Sequence, residues 1–285
     1  MCRFLAYKGS EISLADVLTR SEQSMIRQSF HAREREEPLN GDGFGVGWYV
    51  PEIDPTPCIF TSVQPAWANR NLRRLADKIR SACLFAHVRA ATPGTAVAEI
   101  NCHPFQYGRL MWMHNGRISG FRRIRRTLCE HLSDEFFNFI EGTTDSEHAF
   151  ALFLNELGAA PEQCEIDDLH RALQRTIGLI EQWLADAEVT EASWLNFCLT
   201  DGSHLLATRY VTTPASQPQS LYFAQGRRFE LRNGHYRMTK SEGEPAQAVI
   251  IASEPLTYDH SDWEPVPVNH SISVSPDCRI DLQSI

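Results

Sequence analysis

The chain has 285 residues, of which 42% are hydrophobic and 22% charged, and its formal net charge is −9. This composition is typical of a globular protein with enough apolar residues for a sizeable core. The acidic balance argues against nucleic acid as a partner, and no apolar stretch approaches the roughly 18 residues that would predict a membrane span. The N-terminal residues lack the layout of a signal peptide, so we expect a cytoplasmic protein.

The hydrophobic pattern predicts strands, then helices, then strands again. The predicted strands lie at 2–7, 43–50, 83–89, 110–114, 193–200, 204–210, 220–225 and 247–252. The predicted helices lie at 13–27, 69–80, 121–131, 144–157 and 166–187. This order favours an α+β fold of stacked sheets covered by helices in one domain over 1–285, with a loosely packed C-terminal extension from about 254. The arginine-rich run Arg122–Arg126 is interpreted as the exposed face of a helix.

Eight cysteines and eleven histidines are scattered along the chain without a CxxC pair or a pair of histidines at i, i+4 spacing. This spacing fits neither a zinc site nor the disulfide framework of a secreted domain. We therefore expect free thiols, no metal and no cofactor.

Cys2 is the most informative residue, because removal of Met1 would make it the first residue of the chain. One Cα would then carry both a thiol and a free α-amine, whose ordinary pKa of about 7.7–8.0 suits proton transfer near neutral pH. The alternative is that Cys2 is an ordinary residue of a buried first strand.

Four further segments place polar or glycine-rich residues in apolar surroundings. They are Asn40–Gly45 (NGDGFG), His87–Gly94 (HVRAATPG), the pair Asn101–Phe105 (NCHPF) with His114–Gly116 (HNG), and Thr143–Glu147 (TTDSE). Taken singly, each can be a turn, a strand end or a helix cap.

Together with Cys2, these segments resemble the class II glutamine amidotransferases, which are N-terminal-nucleophile hydrolases. The resemblance runs from Cys2 to about residue 253. It is nearest to the single-domain branch that includes a fungal glutathione-degrading subunit and an ergothioneine-pathway γ-glutamyl amidohydrolase. It implies a four-layer αββα sandwich of two stacked, mainly antiparallel sheets.

The resemblance also implies a catalytic set. Cys2 would attack the δ-carbonyl of a γ-glutamyl group and its amine would move the proton. The Asn115 amide and the Gly116 N–H would form the oxyanion hole, and glycine would let the backbone turn its N–H toward the substrate. Asn40 would border the nucleophile, with Asp42 as a structural hydrogen-bond hub.

A second set would bind the amino-acid head of the substrate. Arg89 would hold the α-carboxylate, Thr92 would add a hydroxyl donor, and Asp145 would receive the α-ammonium group. For His103, a substrate contact and a packing role before Pro104 both remain open.

The segment after Arg89 departs from the family pattern. Well-studied members often have Trp-Ala-Thr-His there, whereas this chain has Ala90–Pro93 (AATP). The change reshapes the pocket near the α-carboxylate and leaves room for a γ-glutamyl compound larger than glutamine, such as glutathione.

The leading hypothesis is hydrolysis of a small-molecule γ-glutamyl amide, with glutamine as the first candidate. We expect the hydrolase fold to use all 285 residues and to leave none for an acceptor domain. Either a separate ammonia-acceptor or peptidase subunit is then the protein partner, or the reaction is plain hydrolysis without transfer. The alternatives are a γ-glutamyl peptidase that works with such a subunit, and a non-catalytic regulatory module that retains the fold.

Overall fold

The computed structural model describes residues 2–34, 39–91, 95–158, 164–213, 215–240 and 243–285. The strands are β1 (Arg3–Ser13), β2 (Phe44–Val50), β3 (Asp54–Ser62), β4 (Arg80–Val88), β5 (Phe105–Tyr107), β6 (Leu110–Arg117), β7 (Trp194–Thr200), β8 (Leu205–Arg209), β9 (Tyr222–Gly226), β10 (Arg228–Arg232), β11 (His235–Thr239), β12 (Ala248–Ala252), β13 (Glu264–Pro265), β14 (His270–Val274) and β15 (Ile280–Ser284). The helices are α1 (Met25–Phe30), α2 (Arg70–Ala76), α3 (Phe121–His131), α4 (Asp134–Phe139), α5 (Asp145–Leu157) and α6 (Ile166–Asp186).

Two antiparallel sheets stack face to face. The first has the order β13-β9-β12-β1-β4-β2-β3 and the second the order β15-β14-β8-β7-β6-β5, while β10 and β11 form a separate hairpin. Every strand pairing between described residues is antiparallel. The predicted α+β sandwich of stacked antiparallel sheets is confirmed.

The two-residue period of the strands sorts their side chains into layers. In β1, Phe4 lies in the apolar layer between the sheets, whereas Leu5 lies in the core on the outer face of the first sheet. In β6, Met113 faces the layer between the sheets and Trp112 faces the opposite side. One apolar layer therefore lies between the two sheets, and one lies on the outer face of each sheet, beneath the helices.

The helices cover the outer faces of both sheets. Trp112 stacks on Phe150 of α5, with ring centroids 5.4 Å apart, and α6 packs beside α5 over the same core. Helix α5 begins at the N-cap Thr144, whose hydroxyl accepts the backbone N–H of Glu147 at 3.2 Å. Its start is thereby fixed by capping chemistry.

Two expectations about secondary structure are wrong. The helix predicted over 13–27 is instead the end of β1, a π-helical turn (Asp16–Arg20) and the short α1. The start of that segment stays extended because Ile12 and Ser13 continue the pairing with β4 beyond an irregularity after Lys8.

The segment from about 254 onward is not loosely packed. Strand β14 pairs with β8 inside the second sheet, and its residues Ile272 and Val274 are fully buried between the sheets. Some of the polar residues that suggested a loose tail lie on the edge strand β15, whose side chains are mostly exposed, and others lie in the exposed turn at 258–262. Among the described residues, no helix is long and apolar enough to cross a membrane.

Candidate active site

The layer between the sheets becomes polar at one end. The start of β1 and the ends of β4, β6 and β12 come together there because β4 and β12 run antiparallel to β1. In a strand, residues separated by two or four positions point to the same face of the sheet. Phe4, Phe85, Met113 and Ile251 point into the layer between the sheets. On each of these four strands, a polar residue two or four positions away therefore belongs to the same layer. These residues are Cys2, Arg89, Asn115 and Ser253.

Cys2 immediately precedes β1 and is only 8% exposed. Its Sγ lies beside the backbone of Ala90, 3.4 Å from the nitrogen and 3.6 Å from the oxygen. The segment after β4 therefore packs directly on the thiol.

Asn115 is fully buried near the end of β6. Its Nδ2 donates to Ser253 Oγ at 3.1 Å, and the same oxygen accepts the backbone N–H of Phe4 at 3.0 Å. Its Oδ1 has no hydrogen-bond partner among the described residues. The Asn115 amide and the strand that begins after Cys2 thus share one serine hydroxyl.

Gly116 lies in extended backbone within β6, and the expected turn at this residue is wrong. A side chain here is excluded because an added Cβ would lie 1.8 Å from the carbonyl oxygen of Trp194. The glycine is therefore required by close packing rather than by an unusual backbone conformation.

The strand register shows where the Gly116 N–H points. Gly116 pairs with Leu195, whose own N–H donates to Tyr210 on the far side of β7 at 2.9 Å. The N–H and C=O of one strand residue point to the same side, so both backbone groups of Leu195 face away from Gly116 and the two residues form a non-hydrogen-bonded pair. The Gly116 N–H therefore points away from β7, toward the side of β6 where β5 lies. Because β5 pairs only with 110–112, it does not pair with Gly116.

His114 joins the end of β6 to the start of α5. Its Nε2 lies 2.9 Å from Trp194 O and its Nδ1 lies 2.9 Å from Ser146 Oγ. Burial lowers the pKa of this imidazole. The neutral ring then donates from Nε2 to the carbonyl and accepts the serine hydroxyl at Nδ1.

Arg89 is 3% exposed and spans two loops. Its guanidinium donates to Asp42 O at 3.4 Å and to Ala96 O at 3.2 Å, and its backbone N–H donates to Gly43 O at 2.8 Å. Asp42 Oδ2 in turn accepts the N–H of Ala91 at 2.8 Å, the hydrogen-bonding position expected of a structural hub. Thr92 lies outside the described residues.

Asp145 is the half-buried first residue of α5. Its Oδ2 accepts the N–H of Ile118 at 2.7 Å, one residue beyond β6. Asp145, Ile118 and Ala96 line one cleft of about 730 Å³. Arg89 is not one of the lining residues and is connected to this cleft through its bond to Ala96 O.

Three arginines share the cleft with Asp145. Arg117 follows the Asn115–Gly116 pair, while Arg122 and Arg125 belong to α3. Arg122 and Arg125 are exposed, as predicted for this helix face, but they line the cleft instead of facing open solvent alone.

The hydrogen bonds of Asn40 fix a loop to α1. Its backbone N–H donates to Ser29 O at 2.7 Å and its Nδ2 to Gln28 O at 3.0 Å, and the residue is fully buried. Asn40 therefore supports the loop that leads to Asp42 and Gly43.

His103 lies between the sheets. Its ring is tilted against that of His87, with centroids 4.2 Å apart, and meets the Phe105 ring edge-on at 4.6 Å. Neither ring nitrogen has a hydrogen-bond partner among the described residues. Burial lowers the pKa of both histidines, that of His87 to about 3. This position favours the packing alternative for His103.

Comparison with known proteins identifies the family. A family model described as "Glutamine amidotransferases class-II" matches residues 16–275. The chain belongs to the class-II glutamine amidotransferases.

Relatives of this class-II amidotransferase include γ-glutamyl hydrolases. It is 44% identical over 293 residues to "Probable glutamine amidotransferase DUG3" of Saccharomyces cerevisiae, an alignment that covers 96% of this chain and 82% of that protein. It is 32% identical over 276 residues to the γ-glutamyl-hercynylcysteine sulfoxide hydrolase of Mycobacterium tuberculosis, with coverages of 96% and 93%. The chain is thus an enzyme of this family.

Solved structures agree with this assignment. A glutamine aminotransferase class-II domain protein from Silicibacter pomeroyi superposes with a TM-score of 0.66 at 26% identity, over 99% of each chain. Glutamine phosphoribosylpyrophosphate amidotransferase from Bacillus subtilis superposes with a TM-score of 0.60 at 12% identity, over 99% of this chain and 49% of that one, and shows the fold alone. The predicted N-terminal-nucleophile hydrolase sandwich is confirmed.

Three residues of this class-II amidotransferase, Arg3, Ser253 and Glu254, hold the polar end of the layer together and were not predicted as site residues. Ser253 and Glu254 follow β12, and Glu254 Oε1 accepts Arg3 Nε at 2.5 Å. The signal for Ser253 was present, because it continues the alternation of Val249 and Ile251. Arg3 and Glu254 lie 251 residues apart, and their pairing depends on the fold.

Proposed function

We propose that this class-II amidotransferase hydrolyses a γ-glutamyl amide with Cys2 as its nucleophile, glutamine being the first candidate substrate. The observation that carries the proposal is the convergence of Cys2, Asn115 and Gly116 at one end of the layer between the sheets. Arg89 immediately precedes Ala90, which contacts the Cys2 thiol, and Asp145 accepts the N–H of Ile118, two residues after Gly116. Their charges suit the two charged groups of an amino-acid head.

The reaction starts after removal of Met1, which frees the α-amine of Cys2. The amine takes the thiol proton, and Sγ bonds to the δ-carbon of the substrate. The C–N bond then breaks as the ammonium group of Cys2 returns its proton to the leaving nitrogen, so that ammonia departs from a γ-glutamyl thioester. Water attacks this thioester with the amine again as the base, which releases glutamate and restores the thiol.

Stabilisation of the carbonyl oxygen is assigned to Asn115 and Gly116. Negative charge builds on this oxygen during both attacks, and fixed N–H donors lower the energy of that state. The Gly116 N–H faces away from β7, and the second hydrogen on Asn115 Nδ2 is not taken by Ser253. Both groups are therefore suited to donate to one oxygen.

Recognition of the amino-acid head is assigned to Arg89 and Asp145. A guanidinium matches the geometry of a carboxylate, and a carboxylate matches an ammonium group. Asp145 also lies at the start of α5. Its bond from Ile118 N leaves Oδ1 available, apart from a contact with Ser146 Oγ at 3.4 Å.

Replacement of the nucleophile tests the proposal. Cys2→Ala is expected to abolish glutamate release from glutamine and from other γ-glutamyl compounds. Cys102→Ala is the matched control, since Cys102 is similarly buried, with 3% exposure, and burial raises the pKa of its thiol to about 11. Activity in Cys2→Ala, or Met1 retained in active enzyme by N-terminal mass spectrometry, contradicts the mechanism.

A larger γ-glutamyl compound is a second candidate substrate. The cleft volume lies in the range of pockets that hold drug-sized ligands. Arg117, Arg122 and Arg125 supply positive charge for a further carboxylate, such as that of a γ-glutamyl peptide. A separate peptidase or ammonia-acceptor subunit is the proposed protein partner. Glutamate release from glutamine and glutathione, measured side by side with and without cell extract, separates these cases.

A further inference from the structure

Ser253 is a fully buried residue that connects both sheets at the candidate active site. Its Oγ accepts one N–H from Phe4 in β1 and one from Asn115 in β6. Its backbone N–H donates to Phe4 O at 3.0 Å, and its carbonyl accepts Ser220 Oγ at 2.8 Å. The serine is therefore held at both ends of its backbone while its hydroxyl bridges the two sheets.

We propose that Ser253 is a positioning residue for the oxyanion hole of this enzyme. This inference rests on the proposed function, in which Asn115 donates to the carbonyl oxygen. Ser253 fixes the plane of the Asn115 amide, so that the second hydrogen of Nδ2 has one constant direction.

The need for such a contact follows from the chemistry of asparagine. The terminal torsion of its side chain is soft, with a broad range of accessible angles. The bond to Ser253 is the one hydrogen bond that holds this amide among the described residues, because Oδ1 has no partner there. An oxyanion donor is effective only when its direction is set before the charge develops.

The same hydroxyl relates the donor to the nucleophile. Phe4 lies two residues after Cys2, about 7 Å along the strand, and both side chains point to the same face of the sheet. A hydroxyl oxygen has two acceptor lone pairs, and here each receives one N–H. Ser253 therefore sets the distance between the strand of the nucleophile and the amide of Asn115.

The test is a double-mutant cycle with Ser253→Ala and Asn115→Ala, using a chromogenic γ-glutamyl anilide as the probe. Ser253→Ala is expected to lower kcat about 10- to 100-fold while KM stays within about twofold, because the affected interaction forms mainly in the transition state. In the Asn115→Ala background, Ser253→Ala is expected to cost less than about threefold, since the group it positions is gone.

Ser271→Ala is the matched control. Ser271 is another buried serine with a side-chain bond, 2.7 Å to His170, but it lies on β14 away from Cys2. It is expected to leave kcat and KM unchanged. If Ser253→Ala does not fold, Ser253→Cys keeps the shape of the side chain with a larger sulfur that is a weaker acceptor, and it is expected to lose kcat in the same way.

Two outcomes overturn the inference: wild-type kcat in Ser253→Ala, or a full additional loss when Ser253→Ala is placed in the Asn115→Ala background. Either result leaves the proposed function standing if Cys2→Ala is inactive. Activity in Cys2→Ala is instead the failure of the proposed function itself, so the two failures are distinguishable.

Discussion

Arg3 and Glu254 form a buried ion pair directly behind the candidate nucleophile. The side chains are 0% and 3% exposed, and Arg3 Nε lies 2.5 Å from Glu254 Oε1. Arg3 Nη1 also donates to the carbonyl of Cys2 at 2.9 Å, and Glu254 Oε2 accepts the N–H of Arg33 at 2.8 Å. One ion pair thus fixes the backbone of Cys2 and the loop after α1 together.

Glu254→Gln is expected to destabilise the fold by about 3 kcal/mol, because it leaves the Arg3 charge buried without a counter-charge. The free energy of unfolding from urea denaturation measures this change. Glu130→Gln is the control, since Arg126 and Glu130 form an exposed ion pair. This variant is expected to leave the urea concentration at the midpoint of unfolding unchanged. Equal effects of the two variants would contradict the importance of burial.

Gly116→Ala is expected to destabilise the enzyme and to remove its activity. The new methyl group would overlap the carbonyl of Trp194, which already accepts the His114 bond. The end of β6 must then shift, and the N–H assigned to the oxyanion hole shifts with it. Thermal unfolding and glutamate release measure the two effects.

Gly178→Ala is the control for this substitution. Gly178 lies within α6, and an added Cβ there meets no atom within 4 Å. Because alanine favours a helix over glycine, this variant is expected to gain roughly 0.5–1 kcal/mol of stability and to keep its activity. Destabilisation by both variants would refute a specific steric requirement at Gly116.

Apolar runs in the sequence predicted the strands at 2–7 and 110–114, and the TDSE motif indicated the start of α5. The four-layer sandwich and the polar residues of the candidate site were predicted from the family resemblance. The prediction failed where partners are distant in sequence. The extended end of β1 is set by pairing with β4, and the buried state of β14 is set by pairing with β8.

Arg89→Lys is expected to raise KM for γ-glutamyl substrates about 10- to 100-fold with a smaller change in kcat. Lysine keeps the charge but loses the forked guanidinium that matches a carboxylate and reaches both Asp42 and Ala96. Arg109→Lys is the control, because Arg109 also donates to backbone, at 2.8 Å to Asp201 O, but lies at the opposite end of β6. If KM rises in Arg109→Lys but not in Arg89→Lys, the assignment of the substrate carboxylate to Arg89 is rejected.

Asp145→Asn is expected to weaken glutamine binding while the fold is kept, since the amide oxygen still accepts the Ile118 N–H. The loss should come from the missing attraction to the substrate ammonium group. An analogue of glutamine without the α-amino group is therefore expected to bind the variant and the unchanged enzyme about equally. The ratio of inhibition constants measures this, and the same loss for both ligands would disprove the ammonium contact.

His87→Gln is expected to reduce the acid sensitivity of the fold. Burial lowers the pKa of His87 to about 3, whereas the unfolded chain has a pKa of about 6.5. Below about pH 6.5 the unfolded chain takes up a proton on His87 that the folded protein does not. The stability of the fold is therefore full above the pKa of His87 in the unfolded chain, and it is lost as the pH falls toward the pKa in the folded protein.

For His87 alone, this linkage corresponds to about 2 kcal/mol between pH 7.5 and pH 5. The free energy of unfolding of the unchanged enzyme is therefore expected to fall over this interval, with His103 and His114 adding to the loss because burial lowers their pKa values as well. In His87→Gln the fall should be smaller by about the contribution of one histidine. His260→Gln, on an exposed loop, is the matched control for the substitution. An identical pH dependence in His87→Gln and the unchanged enzyme would show that His87 takes up its proton equally well in both states.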